Sequence, residues 1–303
     1  MIIVRTCCGL GNQMFQYALG RHLALLRNTE LKIDTSPYSA WYMKVFNSYS
    51  HDERYYGLDV FSIDAGFANH SELWQLRKKH IGYLARKSFL RSRQKEKTSG
   101  KPTIFFDKTP FRFNPEVFSC GKDAIFTGFW QNEKYFEDID DVLRDDFRFR
   151  QEPDSNNHRW LDRIRTENSI SVHVRRGDYE KVAGIRRTFG LCAVDYYHNS
   201  LSCIGQRVTN PVVYVFSDDP DWAESNIEME FPAIFMRHNK NGKDHEDLRL
   251  MSNCKHNIIA NSTFSWWAAW LNENEKKIVI APRKWTNEFD YSNAIIPSRW
   301  ITI

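Results

Sequence analysis

Arg175, Arg176 and Asp178, in the run Ser169-Ile-Ser-Val-His-Val-Arg-Arg-Gly-Asp-Tyr179, are the residues whose types and spacing first suggest chemistry. Ile170, Val172 and Val174 alternate as in a short buried strand, which delivers His173, Arg175, Arg176 and Asp178 to one sheet edge while Gly177 supplies the turn. Two guanidinium forks there suit the oxygens of a phosphate or diphosphate. A solvated salt-bridge cluster has the same composition, so the company these residues keep decides between the two. Asn261-Ser-Thr-Phe-Ser-Trp-Trp267 places the hydroxyls of Ser262 and Thr263 at an expected helix N-terminus, where backbone N–H groups and the helix dipole also favour an anion. Capping that helix is the alternative role for both. Asp247 opens the expected helix leading back to the strand before Ser262. Its carboxylate either complements the helix end or accepts two hydrogen bonds from the N1–H and N2 amine of guanine, a pair of donors adenine lacks.

Beyond Pro153 the pattern alternates: strands near 169–175, 212–217, 233–236, 256–260 and 277–281, with helices near 195–203, 220–226, 246–254 and 263–271. That alternation predicts a parallel sheet wound with helices, in which all strands end at one edge and bring the three motifs there. The first half opens the same way. A strand at residues 1–8 meets Gly9-Leu-Gly-Asn12, with Asn12 at the N-cap position or in contact with a ligand, and a helix with Met14, Phe15, Ala18 and Leu19 follows. Further elements are expected at 31–34, from a Ser71 cap onward, at 124–130 and as a helix over 133–144. The polar stretch 151–157 marks a boundary, giving an α/β domain over 1–152 and a second over 153–303.

Composition narrows the class. The chain of 303 residues is 42% hydrophobic and holds no apolar run long enough to span a membrane, nor a signal or transit peptide, so a cytoplasmic location is expected. Its six cysteines lack metal-binding spacing and are expected to be reduced and buried. The net charge of +4 conceals a local excess: ten Lys and Arg against one acid between Arg77 and Lys101, leaving the remainder net acidic. This basic, partly amphipathic insertion at 77–101 fits a solvated helix face or peripheral contact with an anionic membrane; no nucleic acid is expected as partner. The ten tryptophans suit sugar faces, although most aromatics in any chain are core.

Together, Gly9-Leu-Gly-Asn-Gln-Met-Phe-Gln-Tyr17, His173-Val-Arg-Arg-Gly-Asp-Tyr179, Phe216-Ser-Asp-Asp219 and Asn261-Ser-Thr-Phe-Ser-Trp-Trp267 resemble the bacterial α-1,2-fucosyltransferases. The resemblance implies a glycosyltransferase-B architecture, two Rossmann-like domains with a cleft between them. It also implies inverting transfer of L-fucose from GDP-β-L-fucose to the 2-hydroxyl of a β-galactoside, as in a surface polysaccharide or O-antigen, without a metal or other cofactor. The 1–152 domain would hold the acceptor, using aromatics between Trp41 and Tyr56, and the 153–303 domain the donor. By likeness to the more distant α-1,6- and protein O-fucosyltransferases, His173 and Asp247 would meet guanine, Arg175 the β-phosphate, Ser262 and Thr263 the phosphates, and Asn12 the sugar or acceptor side. Arg175, helped by Arg176, would stabilise the departing diphosphate, and Asp178 would either take the hydroxyl proton or brace Arg175. Where the α-1,6 enzymes carry a glutamate base, this chain has Ala183, so no base carries over. Two rivals are a metal-dependent transferase using Asp219-Pro-Asp221 and a nucleic-acid or membrane-surface binding protein using the 77–101 patch.

Overall fold

The computed structural model describes residues 1–39, 55–92, 103–240, 242–288 and 294–303, with the side chains of 85–92 excluded. Two compact α/β units divide between Arg148 and Phe149, four residues before the boundary expected from the polar stretch. The aromatics expected to line an acceptor groove before residue 55, and the basic residues from 93 to 101, lie outside the described residues.

In the first unit β1 (Ile2–Arg5), β2 (Leu31–Asp34), β3 (Gly66–Phe67), β4 (Ile104–Phe106) and β5 (Ala124–Thr127) form a parallel sheet of order β3-β2-β1-β5-β4. Ile2, Ile3 and Val4 of the central β1 are fully buried, as a strand covered on both faces requires. The helix Leu10–Arg27 follows β1 and ends at Asn28, whose left-handed backbone (φ 47°) returns its N–H to the Ala24 and Leu25 carbonyls. Its cap is Gly9, not Asn12 as expected, because Gly9 is the last extended residue before the first turn. The next long helix, His70–Ser92, starts one residue before the expected cap Ser71. Asn69 and Glu72 exchange side-chain-to-backbone hydrogen bonds of 2.9 Å each, a capping box the sequence carries as Asn-x-x-Glu.

The helix expected over 133–144 is broken into turns at Glu133–Tyr135 and Glu137–Ile139 before the helix Asp140–Asp146. Core packing overrides propensity here. Tyr135 and Phe136 are both pulled inward, Phe136 against Phe15 at 5.9 Å, and Phe136 adopts φ −148°, which no helix can continue.

The second unit carries β6 (Asn168–Val174), β7 (Pro211–Ser217), β8 (Ala233–Phe235), β9 (His256–Ile258), β10 (Val279–Ala281) and β11 (Ile301–Thr302) in the parallel order β11-β10-β9-β6-β7-β8. Chain order runs outward from β6 in both directions. This is the doubly wound arrangement in which ligands gather where the order reverses, beside the carboxyl end of β6. Ile170, Val172, Val213, Val215, Ile258 and Ile280 fill the sheet's interior. The helix Ser155–Thr166, hidden from the sequence inside the polar stretch, begins on an Asp154 cap and buries Leu161 and Ile164. Trp266, Trp267 and Trp270 of the helix Thr263–Leu271 are wholly buried, as are Trp130 and Trp285, so these five tryptophans are core and not sugar platforms. All six cysteines are free thiols; Cys120 and Cys254 are buried and the other four half-buried.

Gly20 marks how tightly the first helix lies on its sheet. A Cβ there would overlap Val4 and reach within 2.8 Å of Leu31 Cδ1, both packed in the sheet. Gly20→Ala is expected to lower stability by roughly 1–3 kcal/mol through overpacking, despite alanine's better helix propensity, as read from the denaturant midpoint.

Candidate functional site

The carboxyl ends of β6, β7 and β9 gather most of the residues singled out in the sequence. Arg175 leaves β6 and is held by two carboxylates: Nη2 lies 2.5 Å from Asp178 Oδ1, and Nη1 lies 2.9 Å from Asp218 Oδ2. Its guanidinium also sits 5.5 Å from the ring of Tyr179. Burial works against the charge, but Asp218 and Asp178 more than offset it, so the pKa stands above the ordinary arginine value. Two of the five guanidinium donors are thereby committed, and the group is one-fifth exposed.

Asp218 is the residue that sequence reasoning missed. It follows Ser217, which pairs with Val174 in the β6–β7 register, so the first residues after the two strands are neighbours. Its Oδ1 accepts the Arg176 N–H at 2.8 Å while Oδ2 meets Arg175. The signal was the Ser-Asp-Asp ending of a strand adjacent to β6. Gly177 proves necessary for close approach and not only for a turn. It opens the helix Gly177–Lys181, and a Cβ there would come within 3.0 Å of Asp218 Cγ and overlap its oxygen.

Arg176, expected to share the anion with Arg175, is engaged elsewhere. Its guanidinium stacks 3.6 Å over Trp222 and pairs with Glu180 at 2.5 Å. Successive residues leaving a strand point to opposite faces, and Arg176 takes the face away from Arg175. Asp178 is turned into its ion pair with Arg175, the bracing role.

His173 ties β6 to the helix Thr263–Leu271. Its Nδ1 lies 2.9 Å from Ser265 Oγ, and that hydroxyl donates onward to the Ser262 carbonyl at 3.3 Å. This network assigns the proton to Nδ1 and leaves Nε2 as an acceptor. Burial, with the nearby Arg175 charge, pushes the imidazole pKa down to about 3, so the ring is neutral. Ser262 occupies the N-cap position without capping, and its hydroxyl makes no hydrogen bond among the described residues. Thr263 is the first residue of that helix. Asn261 is fastened by its amide to the carbonyls of Phe189 (3.0 Å) and Trp285 (3.2 Å), and its own carbonyl accepts from Tyr179. Residues 177–189, absent from the sequence-based expectations as helix, are thus tied to the loop holding Ser262.

Asp247 stands in a second cluster at the same edge, in the first turns of the helix Asp244–Asn253. It accepts from Asn239 Nδ2 at 2.8 Å, and burial pushes its pKa up to about 7. Asn12 lies in the first unit, its Oδ1 accepting from Gln131 Nε2 at 2.5 Å. The acids of Asp219-Pro-Asp221 have other work: Asp219 caps the helix Pro220–Asn226, and Asp221 pairs with Arg237. Among the described residues no three His, Cys, Asp or Glu side chains gather as a metal site.

Because Gly177 and Asp218 interlock, Gly177→Ala is expected to displace Asp218 from the Arg176 N–H and release one side of Arg175. A stability loss of roughly 1–3 kcal/mol in chemical denaturation is the expected reading, whereas Gly184→Ala, with open space around it, should be near neutral.

Comparison with known proteins places this geometry. The sequence model of glycosyl transferase family 11 matches residues 111–303. An alpha-1,2-colitosyltransferase of Escherichia coli is 33% identical over the whole of this chain and 99% of its own length. The O-antigen biosynthesis glycosyltransferase WbnK of Escherichia coli is 40% identical over 45% of each chain. Among solved structures, an Arabidopsis thaliana FUT1 in complex with GDP superimposes with a TM-score of 0.50 over 92% of this chain and 69% of that one, at 15% identity, a likeness of fold. The full-length match and the family model agree, and the chain is a glycosyltransferase that belongs to glycosyl transferase family 11.

Proposed function

We propose that the chain is an inverting α-1,2-fucosyltransferase, moving L-fucose from GDP-β-L-fucose to the 2-hydroxyl of a terminal galactose in a surface glycan. The observation that carries the proposal is Arg175, fixed between Asp178 and Asp218 beside the uncapped helix at Ser262. In the transfer, the galactose 2-oxygen forms a bond to the anomeric carbon from the face opposite the nucleotide. The bond from that carbon to the β-phosphate oxygen breaks, its electron pair leaves with GDP, and the hydroxyl proton passes to a base. Charge grows on the β-phosphate, where the remaining Arg175 donors, the Ser262 hydroxyl and the N–H groups at Thr263 would receive it without a metal. Asp178 serves this reading as the brace of Arg175. Galactoside alpha-(1,2)-fucosyltransferases among the relatives support the linkage, and WbnK supports an O-antigen acceptor. The full-length likeness to an alpha-1,2-colitosyltransferase favours a second donor, the GDP derivative of colitose, which is L-fucose without its 3-hydroxyl. Parallel assays with both donors on β-galactosides decide between them.

The same reading includes a membrane contact, since glycans under assembly are commonly lipid-linked. No helix among the described residues is long and apolar enough to cross a membrane. Instead, helix His70–Ser92 exposes Trp74 (61%), Ile81 (67%) and Leu84 (50%) along one side, flanked by Arg77 and Lys78, with Lys78 Nζ 5.0 Å over the Trp74 ring. An apolar stripe edged with cations suits the interface of an anionic bilayer.

Two outcomes follow. Arg175→Lys keeps the charge but loses the planar fork, so turnover with GDP-fucose should fall on the order of a hundredfold; near-normal turnover would remove Arg175 from the leaving-group role. Flotation with phosphatidylglycerol vesicles should carry the protein at low salt, release it as salt rises, and fail for Trp74→Ser combined with Ile81→Ser. Absence of flotation at low salt would reduce this face to a solvated one.

A further inference from the structure

Asp247 differs from Asp154, Asp178 and Asp218 in having no cationic partner among the described residues. What it has is a relay of two side-chain amides, one from the stretch after β8 and one from the helix Ser155–Thr166. Asn239, in the stretch after β8, donates to Asp247 Oδ1 at 2.8 Å and pairs head to tail with Asn157, at 2.9 Å in one direction and 3.0 Å in the other. Asn157 is fully buried and also directs its Nδ2 at Asp154 Oδ1 (3.1 Å), while His238 Nε2 lies 2.8 Å from its Oδ1. Asp154 is in turn paired with Lys243 at 3.1 Å.

The sense of each amide is fixed from the ends. An ionised carboxylate only accepts, so Asp154 obliges Asn157 to turn its NH2 that way and its oxygen toward Asn239 and His238. Asn239 must then place its own NH2 between Asn157 Oδ1 and Asp247 Oδ1. The second oxygen of Asp247 makes no hydrogen bond among the described residues, and the residue is only half-buried, so that edge of the carboxylate is accessible to a ligand.

We infer that Asn239, oriented by Asn157, is the positioning residue that presents Asp247 as an acceptor-only edge, and that the preference for a guanine over an adenine nucleotide rests on this relay. The inference depends on the donor proposed above being a guanosine diphosphate. Ionised Asp247 complements the two adjacent donors of guanine. A protonated carboxyl offers one donor and one acceptor, the complement of adenine N1 and its 6-amino group, so protonation would erase the discrimination.

Burial raises the Asp247 pKa to about 7, with Asn239 opposing and Asp244 and Glu246 adding to the rise. The charged groups around it are Asp244, His245, Glu246 and Arg249 on its own helix, His238 and Lys243 before it, and Asp154 capping and His158 within the helix Ser155–Thr166. Burial holds His238 below its ordinary value, with Asp154 and Glu246 opposing. Guanine binding to the ionised form is therefore present above about pH 7 and lost as pH falls through it.

Calorimetry of the whole chain with GDP, ADP and inorganic pyrophosphate between pH 6 and 8 tests this. For the parent, GDP affinity relative to pyrophosphate should rise about tenfold across that range, and the GDP to ADP ratio should rise with it. Asn239→Leu should weaken GDP about tenfold at pH 8 and move the midpoint upward, leaving pyrophosphate unchanged. Asn239→Ser replaces it if pyrophosphate binding shows that the leucine variant does not fold. Parent-like GDP affinity and midpoint in the Asn239 variant, with GDP lost in Asp247→Asn, overturns the relay and leaves the guanine reading intact. Parent-like GDP binding in Asp247→Asn overturns the guanine reading itself, and the relay with it.

Discussion

The clamping of one guanidinium between two carboxylates is the constraint on which the rest of the second unit depends. Arg175 is a flexible side chain at the end of a strand, and left alone it would sample many rotamers. Asp178, three residues on, and Asp218, from the neighbouring strand end, leave it one position. The clamp sets its own requirements. Asp218 can reach only because β6 and β7 end in register, and residue 177 must lack a Cβ because the Asp218 carboxylate lies against it. The Arg176 N–H, which Asp218 accepts, fixes the backbone between the two arginines, and the Arg176 side chain is then spent on Trp222 and Glu180. A pair of adjacent arginines thus yields one group clamped between carboxylates and one stacked on an indole.

Such a clamp holds the guanidinium donors in place before any ligand arrives. The formal charges of the guanidinium and its two carboxylates sum to a single negative charge, which by itself would repel a diphosphate. Attraction must come from directional donors: the N–H groups on Arg175 not taken by the carboxylates, the helix N-terminus at Thr263, and the Ser262 hydroxyl. His173 contributes no charge, since burial keeps it neutral, and instead anchors that helix to β6 through Ser265. Preorganised donors of this kind favour a transition state whose charge sits at one place over any diffuse anion.

What was legible in the sequence was whatever repeats along a strand or helix. Alternation revealed β6 and β7, and the bounds of the helix Thr263–Leu271 follow from a Ser-Thr start and a run of tryptophans. Position at a sheet edge then placed Arg175, His173 and Ser262 at one end of the sheet. What was not legible was set by partners distant in sequence. Asp218 and Arg175 are joined across strands, Arg176 was lost to Trp222, and Phe136 left its helix because the core around Phe15 took it. The relay of Asn157 and Asn239 has no periodicity at all; asparagines are read by default as caps and turns, and only the fold shows two of them facing each other. The box at Asn69 and Glu72 is written in the sequence as Asn-x-x-Glu, but Ser71 beside it carries a competing cap signal.

The two clusters at the carboxyl edge of the second sheet have opposite demands, and this contrast bears on the ligand more than either cluster alone. Around Arg175 and Ser262 the site offers donors and asks for an acceptor-rich, anionic partner. At Asp247 it offers an unpaired acceptor and asks for donors. A simple phosphate or an anionic lipid headgroup answers the first demand and leaves the second oxygen of Asp247 without a donor, with burial holding its pKa near 7. A nucleotide whose base presents two adjacent donors answers both with one molecule. An adenine nucleotide leaves an acceptor facing an acceptor, at a cost of roughly 1–3 kcal/mol for a buried group left unpaired. The donor proposed above, a nucleotide sugar built on guanosine diphosphate, would leave neither cluster unsatisfied.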